Sequence, residues 1–195
     1  MKLNVRLANY SVVPLICLIF IFLNWTGVVT VRLGLLSYLA LLAVAGYIIS
    51  DHFYGLWLAK KISFLLENNH RLFIFYGFIF ALTHSVLIWQ RYYGLFFQRF
   101  LDFSSWPAVF INCWLFSLIL MVLLVISDIA NRNGWLEEHL PLVWRVLSWL
   151  VFLLAFAYCY FMTDTVLEKL AVGLVLFLVL LITFVILVKK KVKPA

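Results

Sequence analysis

Residues 70–84 read HRLFIFYGFIFALTH: two histidines close an apolar run in which Arg71 is the one fixed charge. Continued to Trp89, the stretch reaches the roughly 20 residues that a helix needs to cross the hydrocarbon core of a bilayer. His70 and His84 stand 14 positions apart. At helical pitch this is about 1400° of rotation, within about 40° of a whole number of turns, and about 21 Å of rise. Both side chains therefore belong to one helix face, one near each edge of the membrane. An ionisable group inside a span is costly, which makes it a candidate functional group.

The rest of the chain agrees with a membrane reading. Of 195 residues, 67% are apolar and 12% charged, against roughly 25% charged in soluble domains. A soluble fold of this length still leaves about 30% of its unfolded surface exposed, so this much apolar surface has to face something other than water. The mean hydropathy of +1.11 agrees, and disorder, which needs low hydrophobicity, is excluded. The length admits roughly six spans and no sizeable soluble domain. No GxGxxG or GxxxxGK motif occurs among the eight glycines, so a nucleotide-binding catalytic domain would belong to a separate chain. Cys17, Cys113 and Cys159 lie in apolar runs without a CxxC pair and read as small buried hydrophobes.

The sequence predicts an all-α fold: a single domain over residues 1–195 with six transmembrane helices in one bundle, at about 12–29, 33–49, 70–89, 108–126, 142–162 and 166–188. Residues 55–69, GLWLAKKISFLLENN, are amphipathic and read as an interfacial helix. Residues 90–106 form a second interfacial stretch, and residues 127–141 a polar loop. The first run is longer than a signal-peptide core and lacks an A-x-A site, so it reads as a span. With the N-terminus inside, eleven Lys and Arg residues fall on the cytoplasmic side and four on the outer side. The positive-inside rule then places both termini in the cytoplasm, as expected for a bacterial inner-membrane protein. The net charge of +7 resides in residues flanking spans, which points to the lipid bilayer as partner and not to nucleic acid. Trp89, Tyr92, Tyr93, Trp106 and Trp135 read as interfacial belts.

Neutral imidazole is an axial ligand for haem iron, and two haem centres stacked across a membrane need one histidine near each edge. The same residues also admit a structural reading, with His70 at the interface and His84 hydrogen-bonded to a neighbouring helix. His52 and His139 lie on the side of His70, and His139 is either a substitute ligand or a solvated loop residue. Met162 ends the fifth span on the side of His84, and His/Met ligation raises a haem potential. Tyr158 and Tyr160 read as interfacial anchors. Asp51, Asp128 and Asp164 read as span-end residues. Glu137, Glu138 and His139 do not form an HExxH motif.

Taken with the six runs, the His70/His84 pair and WRVLS at 144–148, the chain resembles the ferric-reductase-like transmembrane family over most of its length. Its standalone size is similar to that of the haem membrane subunit of the periplasmic methionine-sulfoxide reductase system. The resemblance implies transmembrane electron transfer through b-type haem, with His70 and His84 as cofactor-binding axial ligands of haem iron. It also implies a separate reductase or periplasmic enzyme subunit as partner. In that family the fifth span carries an opposing histidine pair. Here Ser148 stands at the first position and Tyr160 or Phe161 near the second. A haem-free integral scaffold subunit for a partner enzyme is the alternative that this departure raises.

The charge bias makes a topological prediction. A reporter active only in the cytoplasm, fused after Ala195, is expected to be active. Activity confined to a periplasmic reporter would invert every inner and outer assignment above.

Overall fold

The computed structural model describes residues 2–27, 33–53, 70–91, 103–130 and 141–192. These residues form six helices: α1 (Lys2–Trp25), α2 (Leu33–Phe53), α3 (His70–Arg91), α4 (Trp106–Ala130), α5 (Pro141–Phe161) and α6 (Val166–Val192). The chain is thus all-helical among the described residues. Four helices, α3 to α6, are long and apolar enough to cross a membrane. The apolar parts of α1 and α2, Tyr10–Trp25 and Gly34–Ser50, are shorter. The interfacial helix expected at 55–69 lies outside the described residues, as do residues 92–102 of the interfacial stretch expected at 90–106 and residues 131–140 of the polar loop expected at 127–141; residues 90–91 end α3 and 127–130 end α4.

Local chemistry sets the helix ends. α1 continues around Pro14 and stops at Trp25, earlier than the expected end at residue 29. The Thr26 amide bonds back to the Phe22 carbonyl at 3.0 Å and the Gly27 amide to the Asn24 carbonyl at 3.2 Å. Gly27 takes a φ of 74°, a left-handed cap that a residue without Cβ adopts at no steric cost. α4 starts from Ser105, whose carbonyl accepts the Val109 amide, and Pro107 sits in the first turn, where its missing donor costs nothing. α6 starts on Thr165, whose hydroxyl accepts the Glu168 amide at 3.3 Å, as an N-cap.

Helices α2, α3, α4 and α5 form a closed ring in which each packs on the next and α5 returns to α2. α1 lies outside α3, and α6 lies outside the seam between α2 and α5. The ring interior is filled by Leu41, Val44 and Ile48 of α2, Ile74 and Ala81 of α3, Trp114 and Met121 of α4, and Val151, Phe152 and Ala155 of α5. Outward faces are apolar too: Trp25 is 79% exposed and Leu167 78%. Exposed apolar surface on this scale marks contact with a non-aqueous phase, as expected for a membrane protein.

α2 and α3 make the most extensive helix contact, and small residues permit it. A Cβ on Gly77 would stand 3.3 Å from Val44 Cγ2 and 3.6 Å from the Ala40 carbonyl oxygen. One on Gly46 would stand 3.1 Å from the Phe73 ring. Between helices in lipid, association depends on close van der Waals packing of this kind. Gly77→Leu is therefore expected to lower stability by about 1–3 kcal/mol, read as an earlier thermal transition in detergent. Gly173, whose added Cβ would meet nothing within 4 Å, is the control: Gly173→Ala should be neutral or stabilising by up to about 1 kcal/mol.

Candidate functional site

α3 carries apolar side chains on several faces, so its polar residues are placed by the neighbouring helices. His84 points into the ring and is 2% exposed. Its Nε2 lies 2.9 Å from the Tyr158 hydroxyl of α5. With the imidazole proton on Nδ1, Nε2 accepts from the phenol; with the proton on Nε2, the phenolic oxygen accepts. Trp114 of α4 meets the imidazole edge-on, with centroids 4.8 Å apart and planes at 75°. Trp114 and Tyr158 are 4.7 Å apart. Three helices of the ring thus converge on one imidazole.

A chain of hydrogen bonds fixes this cluster. Trp114 Nε1 donates to Ser85 Oγ at 3.0 Å. Ser85 Oγ donates to the Ala81 carbonyl at 2.9 Å, which leaves its lone pairs for the indole. One α4 turn further on, Ser117 Oγ donates to the Val151 carbonyl of α5 at 3.1 Å. Buried indole and phenol groups need such partners, and in hydrocarbon the partner has to be protein.

Two other polar joints flank the cluster. Toward the start of α5, Trp144 Nε1 donates to the Tyr47 hydroxyl of α2. Ser148 Oγ donates to the Trp144 carbonyl of its own helix at 2.8 Å. At the other end, the Tyr38 and Thr163 hydroxyls are 2.7 Å apart, Thr163 donates to the Cys159 carbonyl, and Cys159 Sγ lies 3.5 Å from the Ser37 carbonyl. Cys17 and Cys159 are buried and Cys113 is half-buried, all as free thiols.

The residues named from sequence are not brought to one point. α3 is continuous from His70 to His84, so the two keep their separation of about 21 Å along the axis. The His70 and His52 side chains, and His139 altogether, lie outside the described residues. Ser148 is spent on a local bond. Phe161 is 55% exposed and stacks on Phe110 at 4.2 Å. Tyr160 stacks on Phe156. Met162 lines two surface grooves, and His84 lines neither. Among the described residues, no group of three or more His, Cys, Asp or Glu side chains is placed to hold a metal ion.

A haem needs an open coordination direction at its ligand and a flat space beside it. At His84 the Nε2 direction is filled by the Tyr158 hydroxyl, and Trp114 covers the flank. As packed, the residues around His84 do not fit a haem.

Tyr158 and Trp114 are the residues that sequence reasoning missed. Tyr158 reads as an interfacial anchor because it lies near a span end, yet it is 6% exposed. Counting turns inward from Arg91, Trp106 and Phe161 brings His84, Trp114 and Tyr158 to levels within about 8 Å of one another. That depth match was the available signal. Comparison with protein-family models, with curated proteins and with solved structures gave no match to this chain.

The His84–Tyr158 bond can be measured by a double-mutant cycle with Tyr158→Phe and His84→Leu. A coupling of about 0.6–1.7 kcal/mol is expected, the range found for hydrogen bonds between membrane helices. Strict additivity in thermal unfolding would mean that the two groups do not interact.

Proposed function

We propose that the chain is a haem-free integral membrane subunit that scaffolds a partner enzyme. In this reading all six helices cross the inner membrane of a bacterium, and both termini lie in the cytoplasm. The observation that carries it is the closure of His84: its Nε2 meets the Tyr158 hydroxyl at 2.9 Å, inside a ring packed with aromatic side chains. A histidine held in this way joins α3 to α5 and is withdrawn from ligation. The absence of any histidine from the fifth span supports the same reading. The eleven-to-four basic bias supports the orientation. α1 and α2, though shorter in their apolar parts, pack alongside the longer helices, as spans of one bundle would.

A second reading keeps the ferric-reductase-like resemblance: electron transfer across the membrane through b-type haem held by His70 and His84, with a separate reductase or periplasmic enzyme as partner. It is favoured by the continuity of α3 between the two histidines. When bound, haem would supply one-electron chemistry; the protein would set its potential through ligands and surroundings.

The two readings differ in colour. Protein made in a haem-replete host and purified in mild detergent is expected to show no Soret band and no sharp α-band on reduction. A stoichiometric b-type spectrum that is lost in His84→Ala would overturn the haem-free reading in favour of the second.

A further inference from the structure

A groove of about 780 Å³ opens between α2 and the first turns of α6, beside the turn that joins α5 to α6. One end is polar and carries Tyr38, Thr163, Asp164 and Glu168. The walls below are apolar, with Leu41 and Leu42 on α2 and Val172 and Val175 on α6. From Thr165 to Val175 the α6 axis rises about 15 Å, half of a hydrocarbon core of about 30 Å and so the depth of one leaflet.

The donor and acceptor balance of the polar end is unusual. Thr163 has one hydroxyl proton, and it goes to the Cys159 carbonyl. The Tyr38–Thr163 bond at 2.7 Å therefore has the phenol as donor. Tyr38 keeps its oxygen lone pairs as acceptors, and the two carboxylates are acceptors when ionised. The backbone amide of Glu168 is held by the N-cap on Thr165. Among the described residues, no Lys or Arg lines the groove. The polar end thus offers negative charge and acceptors to a group that brings positive charge and donors.

We propose that this groove binds a net-cationic, single-chain amphiphile, an alkylammonium, with its head between Asp164, Glu168 and Tyr38 and its tail along Leu42 and Val175. The inference goes beyond the scaffold reading and does not rest on it. Charge complementarity selects the occupant. A phosphate or sulfate head would stand against two carboxylates with no cation among the described lining residues, and a zwitterionic lipid would bring its phosphate to the same place.

The test uses the full chain in phosphatidylcholine nanodiscs and a dodecylammonium probe with a diazirine near the tail end. Labelled sites are mapped by mass spectrometry. The label is expected on the α2 and α6 walls of the groove, with competition by dodecyltrimethylammonium and none by dodecyl sulfate or added phosphatidylethanolamine. Asp164→Asn with Glu168→Gln should reduce labelling about tenfold, since charge-assisted bonds to the head are lost. Leu42→Trp, which leaves both carboxylates in place, should block it sterically; the thermal transition of each variant identifies any that has unfolded, and Glu168→Gln alone then replaces the double change. Equal competition by the sulfate or by phosphatidylethanolamine overturns the proposal. So does labelling that is unchanged in the carboxylate variant, in which case Asp164 and Glu168 only complement the N-terminal end of the α6 dipole.

Discussion

Inside a hydrocarbon layer no water is present to satisfy a polar group, so each one has to find its partner within the protein. The helices answer for the backbone, and most of the buried side chains are answered pairwise, Thr183 Oγ1 being an exception. Ser37, Ser50, Thr83, Ser85 and Ser148 each donate to a carbonyl within their own helix. Such bonds hide a hydroxyl but join nothing. The groups too large to be satisfied locally, imidazole, indole and phenol, reach across to other helices, and these bonds define how the ring is assembled. Trp144 with Tyr47 ties α5 to α2, His84 with Tyr158 ties α3 to α5, and Trp114 with Ser85 ties α4 to α3.

The aromatic cluster around His84 follows from the same constraint. A histidine within a span can be hydrogen-bonded to a neighbouring helix, or it can bind a metal. Here α4 and α5 bring an indole edge and a phenol to His84. Packing then does the rest: Val151, Phe152 and Ala155 line the α5 face below Tyr158, all fully buried, so the phenol cannot swing aside without opening the core. The small residues of the α2–α3 contact act in concert with this, since Gly77 lets α2 approach closely enough for Leu41 and Val44 to seal the opposite wall.

Much of the architecture was legible in the sequence because hydropathy is a one-dimensional signal. The six apolar runs correspond to the six helices, and Pro107 marks a helix start through a backbone rule that needs no partner. Boundaries slipped where the helix outran its apolar part: α1 begins at Lys2, ten residues before the expected span, since helical hydrogen bonding does not stop where polarity starts. The site was less legible. Its face on α3 followed from periodicity, but periodicity on one helix cannot say which side chain of another helix will meet it. Tyr158 and Met162 lie one turn apart at the same span end. The nearer to the membrane surface is the exposed one, although the sequence offered Met162 as a candidate ligand and Tyr158 as an anchor. The resemblance to a haem-bearing family directed attention to coordination, whereas the fifth helix supplies a hydroxyl.

The position of α6 has a consequence for how the protein is made. The ring of α2 to α5 closes through α5 and α2 and does not need the last helix for its seal. α6 covers that seam from outside, with Val172 and Val179 as its buried contacts. During synthesis the ring can therefore consolidate before α6 has been translated, and α6 arrives on a surface already formed. α6 leaves the ribosome after the four helices of the ring, so its docking on their outer seam does not have to thread the interior.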